Sequence, residues 1–226
     1  MSPALLPSLL DVAKAAPGLL SERRFWDAAA ATLHGAGLGF GWAILIGVPL
    51  GLIIGRSRFI ERSTQLVLDF FRAFPPVAVI PVLLLIYGTS VTMKAIVVFL
   101  ACVWPVLIQS IYGAKSLDVA VVDTVRAYRI PWWLNFFKVV LPSATPFVVT
   151  GIRIAATTSV LVSVAVEIIA STPGLGQLIA SLQLDRQTAM AYVCIFAAGI
   201  LGYAINWLTK LVETRLLAWR PAATDE

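Results

Sequence analysis

Residues 93–112 read MKAIVVFLACVWPVLIQSIY. The stretch holds a single charge, Lys94, at its start, and no acidic residue. About 20 such residues in a helix cross the hydrocarbon core of a bilayer, and 1.5 Å of rise per residue makes that length meaningful. Working outward, four further runs of the same kind appear. One covers about Thr32 to Ile54 and is rich in glycine; another covers about Thr64 to Tyr87 and holds Pro75, Pro76 and Pro81. The remaining two cover about Thr145 to Ala170 and about Ala189 to Leu211. Residues 3–20 are apolar but interrupted by Pro7, Asp11, Lys14 and Pro17, which reads as a surface helix rather than a span.

Composition points the same way. The 226 residues are 59% hydrophobic and 13% charged, with mean hydropathy +0.90. Soluble domains average about 45–50% and about 25%. One core of this size cannot bury the excess, so lipid must receive it. The expected fold class is all-α: a polytopic membrane protein of about five transmembrane helices.

The net charge of +5 could suggest a nucleic-acid partner, but the cations sit mostly between apolar runs, where they set topology. One side of the predicted bundle holds Arg56, Arg58, Arg62, Lys115, Arg126, Arg129, Lys138, Lys210, Arg215 and Arg220. The other holds Lys14, Arg23, Arg24, Lys94 and Arg186. The richer side is expected in the cytoplasm, with the N-terminus outside and the C-terminus inside. The predicted organisation is an external amphipathic segment over residues 1–31, a transmembrane domain over 32–217 and a cytoplasmic tail over 218–226. Residues 1–24 mix charges with short apolar pieces and do not read as a signal peptide. Cys102 and Cys194 lie in separate apolar runs and read as packing residues.

The longest polar stretch runs from Lys115 to Pro142. Asp118 is placed to cap a short helix reaching about Tyr128. Pro131 stands where a second could begin, carrying Trp132, Trp133, Phe136 and Phe137 paired at i,i+4. Four large aromatics on such a connector need a partner surface, either the membrane interface or another protein.

Inside the spans, Gly47, Gly51 and Gly55 recur every four residues, as do Gly37 and Gly41, a spacing that lets helix backbones approach closely. It implies a compact bundle or a homodimer. The prolines of the second run bend it, and Asp69 and Arg72 can pair just before the bend. In the fourth run Arg153 and Glu167 lie about 21 Å apart along a helix and cannot pair with each other. Thr157, Thr158, Ser159 and Ser163 lie between them. Intramembrane charge marks a pathway or a structural pair. Residues 171–177, STPGLGQ, cannot continue a helix and suit a re-entrant cap or a plain loop. His34 is the only histidine, and no P-loop, metal-ligand cluster or Ser/His/Asp set is visible. The chain is therefore expected to be no enzyme and to hold no metal or cofactor of its own.

Residues 123–142, DTVRAYRIPWWLNFFKVVLP, resemble the cytoplasmic signature of ABC importer permeases: E-A-A, three residues, G, nine residues, I, one residue, L-P. Asp123 stands at the Glu, Thr124 and Val125 at the alanines, Val139 at the Ile, and Leu141 and Pro142 at the Leu-Pro. Pro146, Gly151, Arg153 and Ala155 resemble the family's continuation, and Arg72, Pro75 and Pro81 its R-x-x-P-x-x-x-x-x-P segment. Gly47 to Gly51 and Pro173 to Gly176 also match common stretches, and Leu6, Pro7 and Ser8 resemble the segment before the core. The branch it resembles most is that of permeases for nitrate, sulfonates, taurine, bicarbonate and related small organic acids. Two departures stand out: the signature glycine is Arg129, and both alanines are replaced. The branch commonly adds an N-terminal span that would end about where Met1 begins.

The resemblance implies a type I importer permease: two permease chains, identical or paralogous, enclosing a pathway through the bacterial inner membrane. It implies two ATP-binding ABC subunits below, which hold ATP and Mg, and an external binding protein that delivers a small, anionic or zwitterionic solute. Coupling to the ATPase would rest on Asp123, Arg126, Ala127, Arg129, Pro131, Trp132, Trp133, Phe136, Leu141 and Pro142. The pathway would involve Arg72, Pro75, Pro81, Arg153, Thr157, Ser159, Ser163 and Glu167. Pro173, Gly174 and Gly176 would form an external gate or cap. Two other readings compete. A secondary transporter or channel would show inverted repeats, and a membrane-embedded enzyme would show a catalytic set; neither is visible.

Overall fold

The computed structural model describes residues 7–217. The tail expected over 218–226, with Arg220, and Leu6 of the N-terminal match lie outside the described residues.

Helix α1 (Leu9–Leu20) begins at a capping box. Ser8 accepts from the Asp11 amide while the Asp11 carboxylate receives the Ser8 amide at 3.1 Å and its hydroxyl at 2.7 Å. Those bonds hold the Asp11 carboxyl below its ordinary pKa. The helix leaves Leu9, Leu10 and Leu20 exposed and buries Val12 and Leu19.

Helix α2 (Arg23–Arg56) starts nine residues before the span predicted from Thr32, so the boundary drawn at residue 31 falls inside it. Helix α3 (Arg58–Ala73) is capped by Ser57 and buries no residue. The chain then breaks at Phe74 and Pro75, both in extended backbone, before a 3-10 turn (Pro76–Val79) and α4 (Ile80–Tyr87). Proline at 75 and 76 removes the amide donors that would carry α3 onward. The second predicted run is thus a bent pair of helices. Helix α5 covers Val91–Lys115.

The connector forms α6 (Val119–Ala127), with Asp118 accepting from the Ala120 amide at 3.0 Å as the sequence suggests. The second short helix does not stand alone. Helix α7 (Trp132–Asn135) passes through a π-helical turn (Phe136–Val140) into α8 (Leu141–Ala170), one helical stretch of 39 residues. No glycine or proline interrupts 132–141, so nothing stops the helix there. Helices α9 (Leu175–Leu184) and α10 (Thr188–Leu216) complete the described residues. Among these, four helices are long and apolar enough to cross a membrane, and the bent pair makes five if it is counted as one span.

The contacts divide the chain into two compact units. The first comprises, among the described residues, 7–41, 75–102 and 156–205. Its core gathers Leu19, Phe25, Leu175, Leu182 and Cys194, with a second cluster of Ile80, Met93, Val97 and Val166. The second comprises, among the described residues, 42–74, 103–155 and 206–217. There Leu52 packs with Ala114, Ala144 and Val148, and Ile54 with Leu107 and Ile111.

The glycine register is settled by contact. An added Cβ on Gly47 would meet Val106, on Gly51 Ser110 and on Gly55 Ala114, so this stripe packs α2 against α5 of the same chain. Gly37 and Gly41 face open space; in the first unit it is Gly39, beside Ala95 and Val98, that meets α5. Two interleaved registers four residues apart look alike in sequence, and only one turns toward a neighbour. Both cysteines are buried, and neither forms a disulfide.

Candidate functional site

Three constellations carry the polar chemistry. The first lies wholly in the first unit. Lys94 and Glu167 pair at 2.9 Å with side chains 1% and 0% exposed. The Lys94 ammonium donates to Glu167 Oε1, to the Ala31 carbonyl and to the Pro173 carbonyl, each at 2.9 Å. Its three donors are all used. Glu167 Oε1 also lies 3.0 Å from the Ser163 hydroxyl, and Oε2 accepts from the Thr32 hydroxyl and the Gly176 amide, both at 2.9 Å. The Leu175 amide donates to Thr32 Oγ1 at 2.9 Å.

Local sequence explains this assembly. Helix α9 begins at Gly174, which has no side chain to cap it. Its first amides would be orphaned in an apolar setting. Thr32 takes one and Glu167 another, and the carboxylate sits where the positive end of a helix favours an anion. The approach is tight: a Cβ on Gly174 would fall inside the Glu167 carboxylate, one on Gly176 within 2.7 Å of Glu167 Cβ, and one on Gly35 into the Lys94 chain. Two features of the same segment are unfavourable. Ser171 has φ 51, left-handed for a residue with a side chain, and buried Thr172 Oγ1 has no hydrogen-bond partner.

The sequence places Lys94 among the flanking cations, whereas it is fully buried. The available signal was a lysine one residue inside an apolar run, for which a buried acidic partner is the default expectation. Thr32, taken only as a span boundary, was missed as well.

The second constellation is the connector, in the second unit. Asp123, Arg126, Ala127, Arg129, Pro131, Trp132 and Trp133 are all exposed, as are Tyr128 and Phe137. Asp123 and Arg126 pair at 3.7 Å. Phe136 instead packs inward with Leu141 against the cluster around Ala144. The ring contact in this stretch joins Phe136 to Phe137 edge-on at 5.2 Å between centroids, where i,i+4 pairing was anticipated. The π-helical turn widens the spacing that such pairing needs. Arg129, at the signature glycine, has φ 46. An arginine therefore adopts the left-handed turn that glycine would take without strain.

The third constellation also belongs to the second unit. Arg153 donates to Glu213 of α10 at 2.9 Å, with side chains 42% and 19% exposed. Lys115 donates to Glu61 at 2.6 Å. Arg72 pairs with Asp69 at 3.0 Å, the pair expected at the bend. Glu61, Gln65, Asp69 and Arg72 form one polar stripe on α3 and line a cavity of about 100 Å³ with Tyr112 of α5.

The residues named for a pathway differ in burial and partners. Ser163 and Glu167 join the buried network; buried Ser159 donates to the Ala156 carbonyl at 2.7 Å. Thr157, Pro75 and Pro81 are exposed. Arg153 and Glu167 each take a partner on another helix, in keeping with their separation. Among the described residues no three His, Cys, Asp or Glu side chains come together as a metal cradle.

Residues 47–218 match the family described as the binding-protein-dependent transport system inner membrane component. A probable ABC transporter permease of Brucella abortus is 28% identical over 97% of this chain and 88% of its own length. A putative aliphatic sulfonates transport permease, SsuC of Bacillus subtilis, is 27% identical over 97% of this chain and 80% of its own. Others at 26% identity are named as permeases for nitrate, taurine and bicarbonate. In fold, the chain is similar to the inward-facing MetNI methionine ABC transporter, with TM-score 0.74 and 20% identity over 87% of this chain and 99% of that one.

Proposed function

This chain belongs to the family of binding-protein-dependent transport inner membrane components, and from that premise we propose that it is the membrane-spanning subunit of an ATP-driven importer for a small anionic or zwitterionic solute. A separate ATPase hydrolyses ATP, an external binding protein delivers the solute, and a second permease chain completes the pathway. The N-terminus is outside and the C-terminus in the cytoplasm. The solute class rests on relatives named for sulfonates, taurine, nitrate and bicarbonate.

The observation that carries this reading is the connector. Helix α6 and the start of the next helix hold Tyr128, Trp132 and Trp133 in ordered backbone with 79%, 79% and 54% of their surface exposed. Aromatic area of that size on a structured element, at the position of the family signature, suits a protein partner. Arg153, bound to Glu213, braces α8 to α10 just beyond the connector. In the proposed cycle the ATPase moves the connector, and the brace passes that motion into the spans.

The test is purification of the tagged chain from its native membrane in mild detergent. A stoichiometric P-loop ATPase should accompany it and be lost on deleting residues 118–138. Trp132→Ala with Trp133→Ala should weaken that association. Unchanged co-purification of the double variant would put those aromatics against lipid, and no ATPase with the intact chain would overturn the importer reading.

A further inference from the structure

The first unit contains a feature that the transport reading does not by itself require. A buried ion pair in an apolar span is seldom the most stable solution, because desolvating two charges costs about as much as their attraction returns. Gly35 leaves room for the Lys94 chain and Gly174 for the Glu167 carboxylate. What the polar pair does, and an apolar one could not, is bind backbone. With Thr32 beside it, its contacts converge on the segment between α8 and α9 and the first turn of α9: the Pro173 carbonyl on Lys94, the Gly176 amide on Glu167, and the Leu175 amide on Thr32. That segment is also under strain at Ser171 and unsatisfied at Thr172. A segment with such costs stays in place only where its surroundings over-determine it, and costs of this kind cluster at ligand clamps and switch regions.

We propose that Lys94, Glu167 and Thr32 are positioning residues that latch the segment 171–176 onto α2, α5 and α8, and that this latch makes solute movement strictly dependent on ATP hydrolysis. The inference rests on the importer reading. When the latch is closed the segment is fixed. When Lys94, Glu167 and Thr32 withdraw from it, the Pro173 carbonyl and the Leu175 and Gly176 amides lose their partners, so the segment moves as a unit. A cleft of about 380 Å³, walled by Arg24, Asp27, Gln177 and Ser181 over the Pro173–Gly174 backbone, exposes the segment to a ligand or partner.

The test uses the whole complex with its ATPase and binding protein in proteoliposomes, with radiolabelled taurine and, in parallel, nitrate as probes. The quantity read is solute moved per ATP hydrolysed. Loss of folded complex lowers both rates and leaves that ratio unchanged; a broken latch lowers the ratio. Thr32→Val keeps the ion pair and near-identical shape but cuts the Glu167 and Leu175 bonds. Lys94→Met with Glu167→Leu removes both charges together. Both are expected to hydrolyse ATP without the binding protein and to lower the ratio about fivefold or more. A wild-type ratio in both variants overturns the latch. Should the double variant fail to insert, Thr32→Val and Ser163→Ala decide alone, and a wild-type ratio in those two overturns it equally. A wild-type complex that hydrolyses no ATP and moves neither probe would refute the importer reading instead, and variants play no part in that result.

Discussion

Two of the ion pairs that join helices here are built differently. Lys94 and Glu167 are sealed from solvent; backbone carbonyls take the two Lys94 donors that Glu167 does not, and hydroxyl and amide donors reach both Glu167 oxygens. Arg153 and Glu213 meet at the same 2.9 Å but remain 42% and 19% exposed. Equal distance does not mean equal energy. A sealed pair cannot lose one partner without stranding a charge, whereas water screens and partly replaces an open one. The first pair holds a non-helical segment in position; the second braces one long helix against another.

The comparison can be broken most sharply at Lys94. Lys94→Met alone strands Glu167 and should destabilise the chain by about 3–5 kcal/mol. Thermal unfolding in detergent reads this, and adding Glu167→Leu should recover most of the loss. If the single and double variants melt alike, the pair is not the sealed unit described. Gly174→Ala should follow, at about 1–3 kcal/mol or more, because the methyl would overlap the Glu167 carboxylate. Arg153→Ala, on the open pair, should cost only about 1 kcal/mol. Its larger effect should fall on solute uptake with the chain still inserted, and normal uptake would remove Arg153 from the functional set.

Smaller effects sharpen the picture away from the pairs. Arg129→Gly should stabilise the connector by up to about 1 kcal/mol, since glycine adopts positive φ without the steric cost that arginine bears. A loss of stability would mean that the Arg129 side chain, rather than its backbone, matters to the fold. Last, the Asp11 carboxyl has a folded pKa below its unfolded value, so its contribution to α1 is present at neutral pH. That contribution should disappear as pH falls through the lowered value. Hydrogen exchange at the first amides of α1 would report it, and an acid-insensitive rate would show the capping box to be dispensable.

Much of this molecule is legible without coordinates. The count of apolar runs, the Asp118 cap on α6, the break at Pro75 and Pro76, and the family signature over 123–142 all follow from local physics: helix length against bilayer thickness, side chains that cap, and rings that cannot donate. Arg153 and Glu167 were recognisable as residues needing partners, because ionised groups within a span require compensation.

What those partners are is a different kind of fact. Lys94 lies 73 positions from Glu167, and Thr32 lies 135. Local periodicity places each residue on a helix but does not say which helix lies beside it or at what height. The same limit left Gly37 and Gly41 indistinguishable from the glycines that pack α2 on α5, and made the aromatic connector helix seem separate from the span it begins. Helix existence, membrane residence and family were determined by the sequence alone, because they depend on composition and short-range chemistry. The sealed pair and the segment it holds were decided only by tertiary structure, because they depend on which backbone amides and carbonyls the packing of α2, α5 and α8 leaves to be satisfied.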